Sequence, residues 1–369
     1  MIQTSAIFLF LNYCLGKKVD MSMVVAKIDW RQLYNFASRQ ALLGFCFDGI
    51  ERLTKEFSEE LKQNSMGRDL LMTWMGAAQQ IRRQNMKVNA VVGKLYSKFR
   101  EDGLRCCILK GQGNALMYPN PYSRTPGDID VWVNASREQI TEYAKKHFEI
   151  GDDIRFHHLE TSFDGVPVEL HFFPGIMNNP IYNVRLQKWF KRNADLQSNV
   201  VSLPDGIGEI AIPTTAFNVV YQLTHLYHHF FDEGIGMRQI IDYYYVVSML
   251  NVNCEMLTWL PKKLKYLGLW KFAGAVMYVL HEALGLSEEK MIAPMDEKRG
   301  KLLLAEILNG GNFGQHFTKY GHFTQQGMAK KYFLKIWRNM HFVRYYPAEA
   351  LSEPIFRTWH FFWRMKNKK

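Results

Sequence analysis

Gly127-Asp128-Ile129-Asp130-Val131-Trp132-Val133 is the stretch of the sequence that decides the fold. Its second half consists of residues that favour β-strands, whereas aspartate is depleted in strands. Side chains of a strand alternate between its two faces, so Asp128 and Asp130 project together while Ile129 points towards a core. Two carboxylates on one face can bind divalent ions. A bare Asp-x-Asp triplet also arises by chance in surface turns, so the interpretation depends on its surroundings.

The residues upstream of this strand add a tight turn and positive charge. A short apolar run at 106–109 ends at Lys110-Gly111-Gln112-Gly113, and a proline-rich connection that contains Arg124 follows. Glycine lets a backbone approach a ligand that a Cβ would exclude, and a lysine ammonium suits a phosphate oxygen. The alternative is an ordinary exposed lysine at a strand end. The pattern favours a phosphate-binding turn, to which these residues belong: Lys110, Gly111, Gln112 and Arg124.

Two strand-like runs downstream supply a third carboxylate. One run ends near Phe163 and the other spans 166–173, with Asp164-Gly165 between them as a tight hairpin turn. In the second run, alternation places Glu169 and His171 on one face. Glu169 could ligate a metal ion or act as a general base; the alternative is an exposed strand glutamate. One histidine of the pair His157-His158 is expected to face the same cleft.

Helical patterns dominate on both sides of these strands. Asp29 is expected to cap a helix, one proline-free helix is expected over 68–101, and Gly103 is expected to end it. Ser136 is expected to cap a helix through about residue 148, and helices resume from about residue 206. The sequence predicts an α+β fold with a small mixed β-sheet core flanked by helical domains. Its three parts are an N-terminal helical region at 1–103, the α+β core at 104–205 and a C-terminal helical domain at 206–369.

A second polar cluster lies in the C-terminal helices. His225 and His229 stand four residues apart on one helix face, and Arg238 and Asp242 are spaced to pair on the next helix. A zinc site lacks a recognised ligand pattern here. A packed helix junction and a wall of the cleft both remain open. The candidate residues of a cleft wall are His158, His171, His225, His229, Arg238 and Asp242.

Composition limits the partners and the compartment. The chain has 46 Lys and Arg against 35 Asp and Glu, a net charge of +11, which favours nucleotides, nucleic acid or an acidic membrane face. The five cysteines are scattered without a CxxC pair, as in a cytosolic protein with reduced thiols. The apolar run within residues 1–16 is too short to span a bilayer, and Lys17 and Lys18 follow it. We expect a buried amphipathic helix there, no stable membrane insertion and a cytoplasmic location.

Lys110-Gly111, Tyr118-Pro119, Arg124, Gly127-Asp128-Ile129-Asp130 and Glu169-Leu170-His171 together resemble the uncharacterised nucleotidyltransferase family of the polymerase-β superfamily. The resemblance covers residues 104–175 and, more loosely, the flanking helices with their His, Arg and Asp series. It implies that the turn holds a triphosphate, that the Asp pair binds metal ions and that Glu169 completes the site. One departure is that the superfamily's Gly-Gly or Gly-Ser turn is Lys110-Gly111-Gln112 here, with a longer gap to Asp128.

The expected function follows from these residues and from the resemblance. We expect a transferase, dependent on Mg²⁺ or Mn²⁺, that moves a nucleoside monophosphate from a nucleoside triphosphate to an acceptor hydroxyl on a small molecule, a protein or RNA. The alternatives are a non-catalytic nucleotide-binding module and a toxin-like enzyme that acts on transfer RNA. Because like charges repel without a metal ion, Asp130→Asn is expected to leave stability unchanged or slightly raised.

Overall fold

The computed structural model describes residues 2–194, 198–250, 254–317 and 327–367. Within these ranges the fold is α+β, as the sequence predicts, with a five-stranded mixed sheet and a two-stranded hairpin among helices. The strands are β1 (Cys106–Ile108), β2 (Ile129–Val133), β3 (Glu149–Ile154), β4 (His158–Phe163), β5 (Val166–His171), β6 (Ser198–Ser202) and β7 (Glu209–Pro213). The helices are α1 (Ile2–Cys14), α2 (Ser22–Val25), α3 (Trp30–Arg39), α4 (Leu43–Glu56), α5 (Ser58–Gln63), α6 (Arg68–Glu101), α7 (Gln112–Ala115), α8 (Arg137–His147), α9 (Pro180–Asn193), α10 (Thr215–Asp232), α11 (Met237–Ser248), α12 (Cys254–Tyr266), α13 (Trp270–Leu284), α14 (Glu297–Gly310), α15 (Met328–Met340) and α16 (Pro347–Asn367).

Several helices begin and end where the sequence predicts. The Asp29 side chain accepts a hydrogen bond from the backbone N–H of Gln32 and so caps α3. Ser136 forms a capping box with Gln139 at the start of α8. The proline-free helix α6 spans 34 residues, and Gly103 follows it with a φ of 74°. These predictions are confirmed because each depends on local chemistry.

The main sheet has the strand order β1-β2-β5-β4-β3. β2 and β5 are parallel, and every other neighbouring pair is antiparallel. Asp164 and Gly165 connect β4 to β5 with φ angles of 49° and 66°, as a two-residue type I′ hairpin requires. The predicted mixed sheet and hairpin turn are therefore confirmed, and β2 and β5 lie next to each other within the sheet.

One face of the sheet is apolar and packs against α6 and α8. Ile129, Val131, Val168 and Leu170 are buried there together with residues of the second half of α6, such as Val92. Because side chains alternate along a strand, the polar residues of β2 and β5 project from the opposite face. The sheet core thus fixes which side of the sheet carries the candidate site.

A second core lies among the helices. The first half of α6 contributes Trp74, and β2 contributes Trp132, so both elements join the two cores. Phe217 of α10 stacks on Trp132 with ring centroids 5.7 Å apart, which holds α10 against the polar face of the sheet. The expected buried N-terminal helix is confirmed by α1, which contributes Phe10, Leu11 and Tyr13. Among the described helices, none is both long and apolar enough to cross a membrane.

Two strand elements correct the sequence prediction. The chain was expected to return to helices from about residue 206, but β7 pairs antiparallel with β6 there. Ser198 lies opposite Pro213 at one end of this hairpin, and Ser202 lies opposite Glu209 at the other end. Ile210 of this hairpin is fully buried in the sheet core, and the expected boundary at residue 205 falls inside the hairpin. β3, at the edge of the main sheet, was also not predicted.

Candidate active site

The register of β2 and β5 places the acidic residues side by side. Asp130 lies opposite Glu169 in this parallel pair, so both side chains project from the same face. Asp128 directly precedes β2 and is exposed, whereas Asp130 is only 2% exposed. A carboxylate oxygen of each of the three residues lies within 4.8 Å of the other two. The structure therefore brings together the three acidic residues that the sequence singled out, here called the acidic cluster.

Two basic groups contact the acidic cluster. Lys110 Nζ lies 2.9 Å from Asp130 Oδ1 and 3.1 Å from His225 Nε2. His171 Nε2 lies 3.0 Å from Asp130 Oδ1 and 3.2 Å from Glu169 Oε2. Lys110 is thus a neighbour of the carboxylates, and the alternative of an exposed lysine at a strand end is wrong.

These contacts set the charges of the site. The charge of Asp130 raises the pKa of Asp128 to about 7, and the protein atoms packed around this otherwise exposed residue add to the shift by displacing water. Burial alone would raise the pKa of Asp130, but the Lys110 charge and the His171 hydrogen bond lower it overall. Burial disfavours the charged form of His171, yet its hydrogen bonds to Asp130 and Glu169 raise its pKa to about 9. Like-charge repulsion was expected to disfavour the ionised form of Asp130, but it disfavours the ionised form of Asp128 instead.

Gly111 forms the turn between β1 and α7. Its φ of 54° and ψ of −113° lie where residues with a Cβ are strained. A Cβ at this position would lie 3.5 Å from the backbone oxygen of Asp128. The turn therefore brings the backbone next to the acidic cluster, as the sequence predicts.

Gly111→Ala is expected to lower the free energy of unfolding by about 1–3 kcal/mol, because alanine is strained in this conformation. Chemical denaturation of both proteins measures the difference. Gly76→Ala is the matched control, since Gly76 lies within α6 with open space around its Cβ position, and alanine favours helices. Equal losses at the two glycines would contradict the special role of Gly111.

Two of the expected phosphate-binding side chains are engaged elsewhere. The buried Gln112 amide donates to Asn89 of α6. Arg124 Nε donates to Asp242 Oδ1 at 2.8 Å, and its Nη2 donates to Oδ2 at 2.7 Å. Both members of this ion pair are buried. These contacts hold the turn and the connection to β2 in place, and a contact of the Gln112 and Arg124 side chains with phosphate stays a prediction.

Arg238 has a guanidinium nitrogen that can still bind a ligand. Its predicted pairing with Asp242 is wrong, because Asp242 binds Arg124. Arg238 Nη1 donates to the backbone oxygen of Thr125 at 2.9 Å, while its Nε has no hydrogen-bond partner among the described residues. The residue is 8% exposed and lines a cavity, about 490 Å³ with the open solvent at its mouth included, that Lys110 also lines. A buried cation without a full set of partners is costly, so Arg238 Nε can donate to a ligand in this smaller cavity, which Asp128 and Asp130 also line.

A larger cleft, of about 1130 Å³ and open to solvent, adjoins the smaller cavity and shares Lys110 and Asp128 with it. Burial lowers the pKa of His225 and His228, and lowers that of His229 to about 3, so these α10 rings are neutral at neutral pH. The expected wall residues divide between the two spaces. His158, His171, His225 and His229 line the larger cleft, whereas Arg238, Asp242 and again His225 line the smaller cavity.

Comparison with known proteins identifies the family. The model of a family described as Uncharacterised nucleotidyltransferase matches residues 26–285, which is more than half of the chain. The chain belongs to this family. The matched range contains the whole acidic cluster and the cavity residues of α10 and α11.

Two other comparisons add little to this family assignment. The crystal structure of an antigenic nucleotidyltransferase-like protein from Paracoccidioides brasiliensis is similar, with 15% sequence identity and a TM-score of 0.35. That match covers 57% of this chain and 94% of the other chain. Comparison with curated proteins gives no match.

The last described helix also reaches the larger cleft, beyond the range of the family model. Arg357 of α16 lines the cleft and its Nη2 lies 2.7 Å from Asp232 Oδ1 at the end of α10. Lys335 of α15 lies 3.0 Å from the same oxygen. The sequence does not indicate that Arg357 and Lys335 belong to the cleft, because no local pattern connects α10 with partners more than a hundred positions away.

Proposed function

We propose that the chain is a Mg²⁺-dependent nucleotidyltransferase that transfers a nucleoside monophosphate from a nucleoside triphosphate to an acceptor hydroxyl. The observation that carries this proposal is the position of the acidic cluster between two cavities. Asp130 lines the smaller cavity, Glu169 lines the larger cleft and Asp128 lines both. A transfer between two substrates requires such a meeting point of two binding spaces.

The donor set of the acidic cluster fits Mg²⁺, with Mn²⁺ as the alternative ion. All three groups offer carboxylate oxygens, and Mg²⁺ prefers oxygen ligands and retains places for water and substrate phosphates. Asp128 is exposed, so the coordination positions of the ion that water or phosphate would fill are accessible from the cavities. When bound there, the ion would neutralise charge on the α-phosphate and on the leaving pyrophosphate.

The smaller cavity is assigned to the triphosphate. Lys110 and Arg238 supply positive charge to it, and Gly111 lets the backbone approach a ligand. Lys110 already contacts Asp130, so an anion bound beside it also lies beside the acidic cluster. Arg238 Nε, which is unsatisfied among the described residues, can donate to a phosphate oxygen.

The larger cleft is assigned to the acceptor. Glu169 faces it with an ionised carboxylate, whose pKa burial would raise but which the hydrogen bond from His171 lowers. From this position Glu169 can orient an acceptor hydroxyl or accept its proton. The neutral rings of His225 and His229 offer hydrogen-bonding groups without adding charge.

A transfer screen tests the proposed function. The full chain is incubated with each of the four α-labelled nucleoside triphosphates and Mg²⁺ or Mn²⁺, and label is sought in protein, RNA and small molecules. Transfer that requires the ion and disappears in Asp130→Asn supports the proposal. Triphosphate binding without transfer to any acceptor would indicate the non-catalytic module, and salt-sensitive binding with labelling of transfer RNA would indicate an RNA substrate.

Arg238→Ala is expected to weaken triphosphate binding by about 1.5–3 kcal/mol, the range for a hydrogen bond to a charged group. Calorimetric titration with a non-hydrolysable triphosphate and Mg²⁺ measures the affinity. Arg100→Ala removes an exposed arginine at the end of α6, outside both cavities, and is the matched control. An affinity unchanged in Arg238→Ala would remove this residue from the nucleotide site.

A further inference from the structure

A second set of metal-ligand atoms lies next to the acidic cluster. His158 on β4 pairs with His171 on β5, so both rings project from the same face as Glu169. One ligand atom from each of His158, Glu169 and His171 lies within 4.8 Å of the other two. Glu169 is therefore common to two groups of potential ligands, one made of oxygens and the other containing two imidazoles.

The distances within this second group fit a metal ion. His158 Nδ1 lies 3.3 Å from Glu169 Oε2, and His171 Nε2 lies 3.2 Å from the same oxygen. Ligands of a tetrahedral ion with bonds of about 2.0–2.1 Å lie roughly 3.3 Å apart. The distances from Glu169 to the two rings match one tetrahedral ion, and a nitrogen of each ring lies within 4.8 Å of the other.

The His158 ring has the burial of a ligand and a carboxylate near each nitrogen. It is 6% exposed, and the two carboxylates are those of Glu169 and Glu160. A buried polar ring is costly unless its nitrogens bind a partner. His158 Nε2 lies 3.8 Å from Glu160 Oε1, so a small movement lets this nitrogen donate to a carboxylate when Nδ1 binds the ion.

We propose that His158, Glu169 and His171 bind a divalent transition-metal ion, such as Zn²⁺ or Co²⁺, in a site that shares Glu169 with the acidic cluster. Imidazole nitrogen suits these ions, whereas Mg²⁺ prefers oxygen. Three protein ligands leave one tetrahedral position open, and all three residues line the larger cleft. This inference deepens the proposed function and rests on it in one respect only, namely that the open position would receive the acceptor hydroxyl.

The competing explanation is that no ion binds here. In that case the protonated His171 neutralises Asp130 and Glu169, and His158 is a buried ring that packs against its neighbours. The two explanations differ in a property that is independent of transfer activity, namely the affinity of the metal-free protein for Co²⁺ in the presence of Mg²⁺.

The test is a titration of the full chain with Co²⁺ in a large excess of Mg²⁺, followed by visible absorption. We expect one equivalent to bind with the intense bands of a four- or five-coordinate ion. His158→Ala should weaken binding by more than the roughly 10- to 100-fold that loss of a second-shell partner costs. His157→Ala is the matched control, because this neighbouring ring also lines the cleft but does not belong to the ligand group. Asp128→Asn should leave the bands unchanged.

Two outcomes overturn the inference. One is equal Co²⁺ affinity of wild type and His158→Ala, and the other is loss of the bands in Asp128→Asn alone, which would place the ion in the acidic cluster. If His158→Ala does not fold, X-ray absorption of the Zn²⁺-loaded wild type decides, since two imidazole ligands are required. Histidine-dependent binding without any nucleotide transfer would keep the metal site and refute the transferase. Nucleotide transfer without histidine-dependent metal binding would keep the transferase and refute the metal site.

Discussion

Asp130→Asn is expected to reduce the rate of nucleotidyl transfer by on the order of 10³-fold, the loss typical when a group that stabilises transition-state charge is removed. Asp130 contacts Lys110, lies opposite Glu169 and lines the assigned triphosphate cavity. Asparagine keeps the shape of the side chain but loses its charge. Initial rates with labelled triphosphate and the acceptor identified by the screen measure the effect.

The same substitution is also expected to destabilise the metal-free protein. Asp130 is ionised and bound to Lys110 and His171, so its removal leaves two buried cations with fewer partners. The pKa of Asp130 is lowered in the folded protein, so its charge favours folding above the unfolded pKa, and that contribution is lost in the variant. The structure thus reverses the expectation, drawn from like-charge repulsion, of unchanged or raised stability.

Asp128→Asn is the matched control for stability. The raised pKa of Asp128, about 7, means that its ionised form opposes folding at pH 8. Neutralising it should therefore leave the stability of the metal-free protein unchanged or raise it, while transfer is lost as in Asp130→Asn. Thermal unfolding of both variants in a metal chelator at pH 8 tests the contrast. If Asp128→Asn were the less stable variant, the conclusion that Lys110 and His171 pair with Asp130 would be wrong.

The acidic cluster could be predicted because it depends on a period of two residues along short strands. Alternation places Asp128 with Asp130 and Glu169 with His171. The only non-local step is that β2 lies next to β5, and the resemblance to the family supplied it. The sequence therefore predicts which of these side chains share a face of the sheet.

The partners of the arginines could not be predicted in this way. Helical spacing favours a pair between Arg238 and Asp242, which stand four residues apart. Arg124 is 118 positions from Asp242 in the chain, yet it binds both carboxylate oxygens. A bidentate contact to a buried carboxylate outweighs a neighbouring pair on a helix surface. Only the packing of the connection against α11 determines which arginine remains available to a ligand.

Two of the strands that were missed contain residues that disfavour strands. β3 contains Gly151 and two aspartates in EIGDDI, and β6, SNVVS, begins with serine and asparagine. Glycine, aspartate and asparagine are depleted in strands. Each segment pairs because its partner strand is apolar or β-branched, as in β7, EIAIP. Tertiary pairing therefore overrides local propensity in these strands.

Asp242→Asn is expected to lower the free energy of unfolding by about 3–5 kcal/mol, the cost of breaking a buried ion pair by removing one charge. Asp242 accepts two hydrogen bonds from Arg124 and one from the Tyr118 hydroxyl at 2.8 Å. All three residues are at most 5% exposed, so water cannot replace the lost carboxylate. Equilibrium denaturation of the metal-free protein measures the loss.

Tyr118→Phe separates the charge from the hydrogen bond. This variant removes one donor to Asp242 but keeps the ion pair with Arg124, so it should cost only about 1 kcal/mol. Because Asp242 also positions the connection that leads to Asp128, Asp242→Asn should weaken triphosphate binding, whereas Tyr118→Phe should not. Equal destabilisation by the two variants would show that the hydroxyl hydrogen bond, rather than the charge of Asp242, holds this connection against α11.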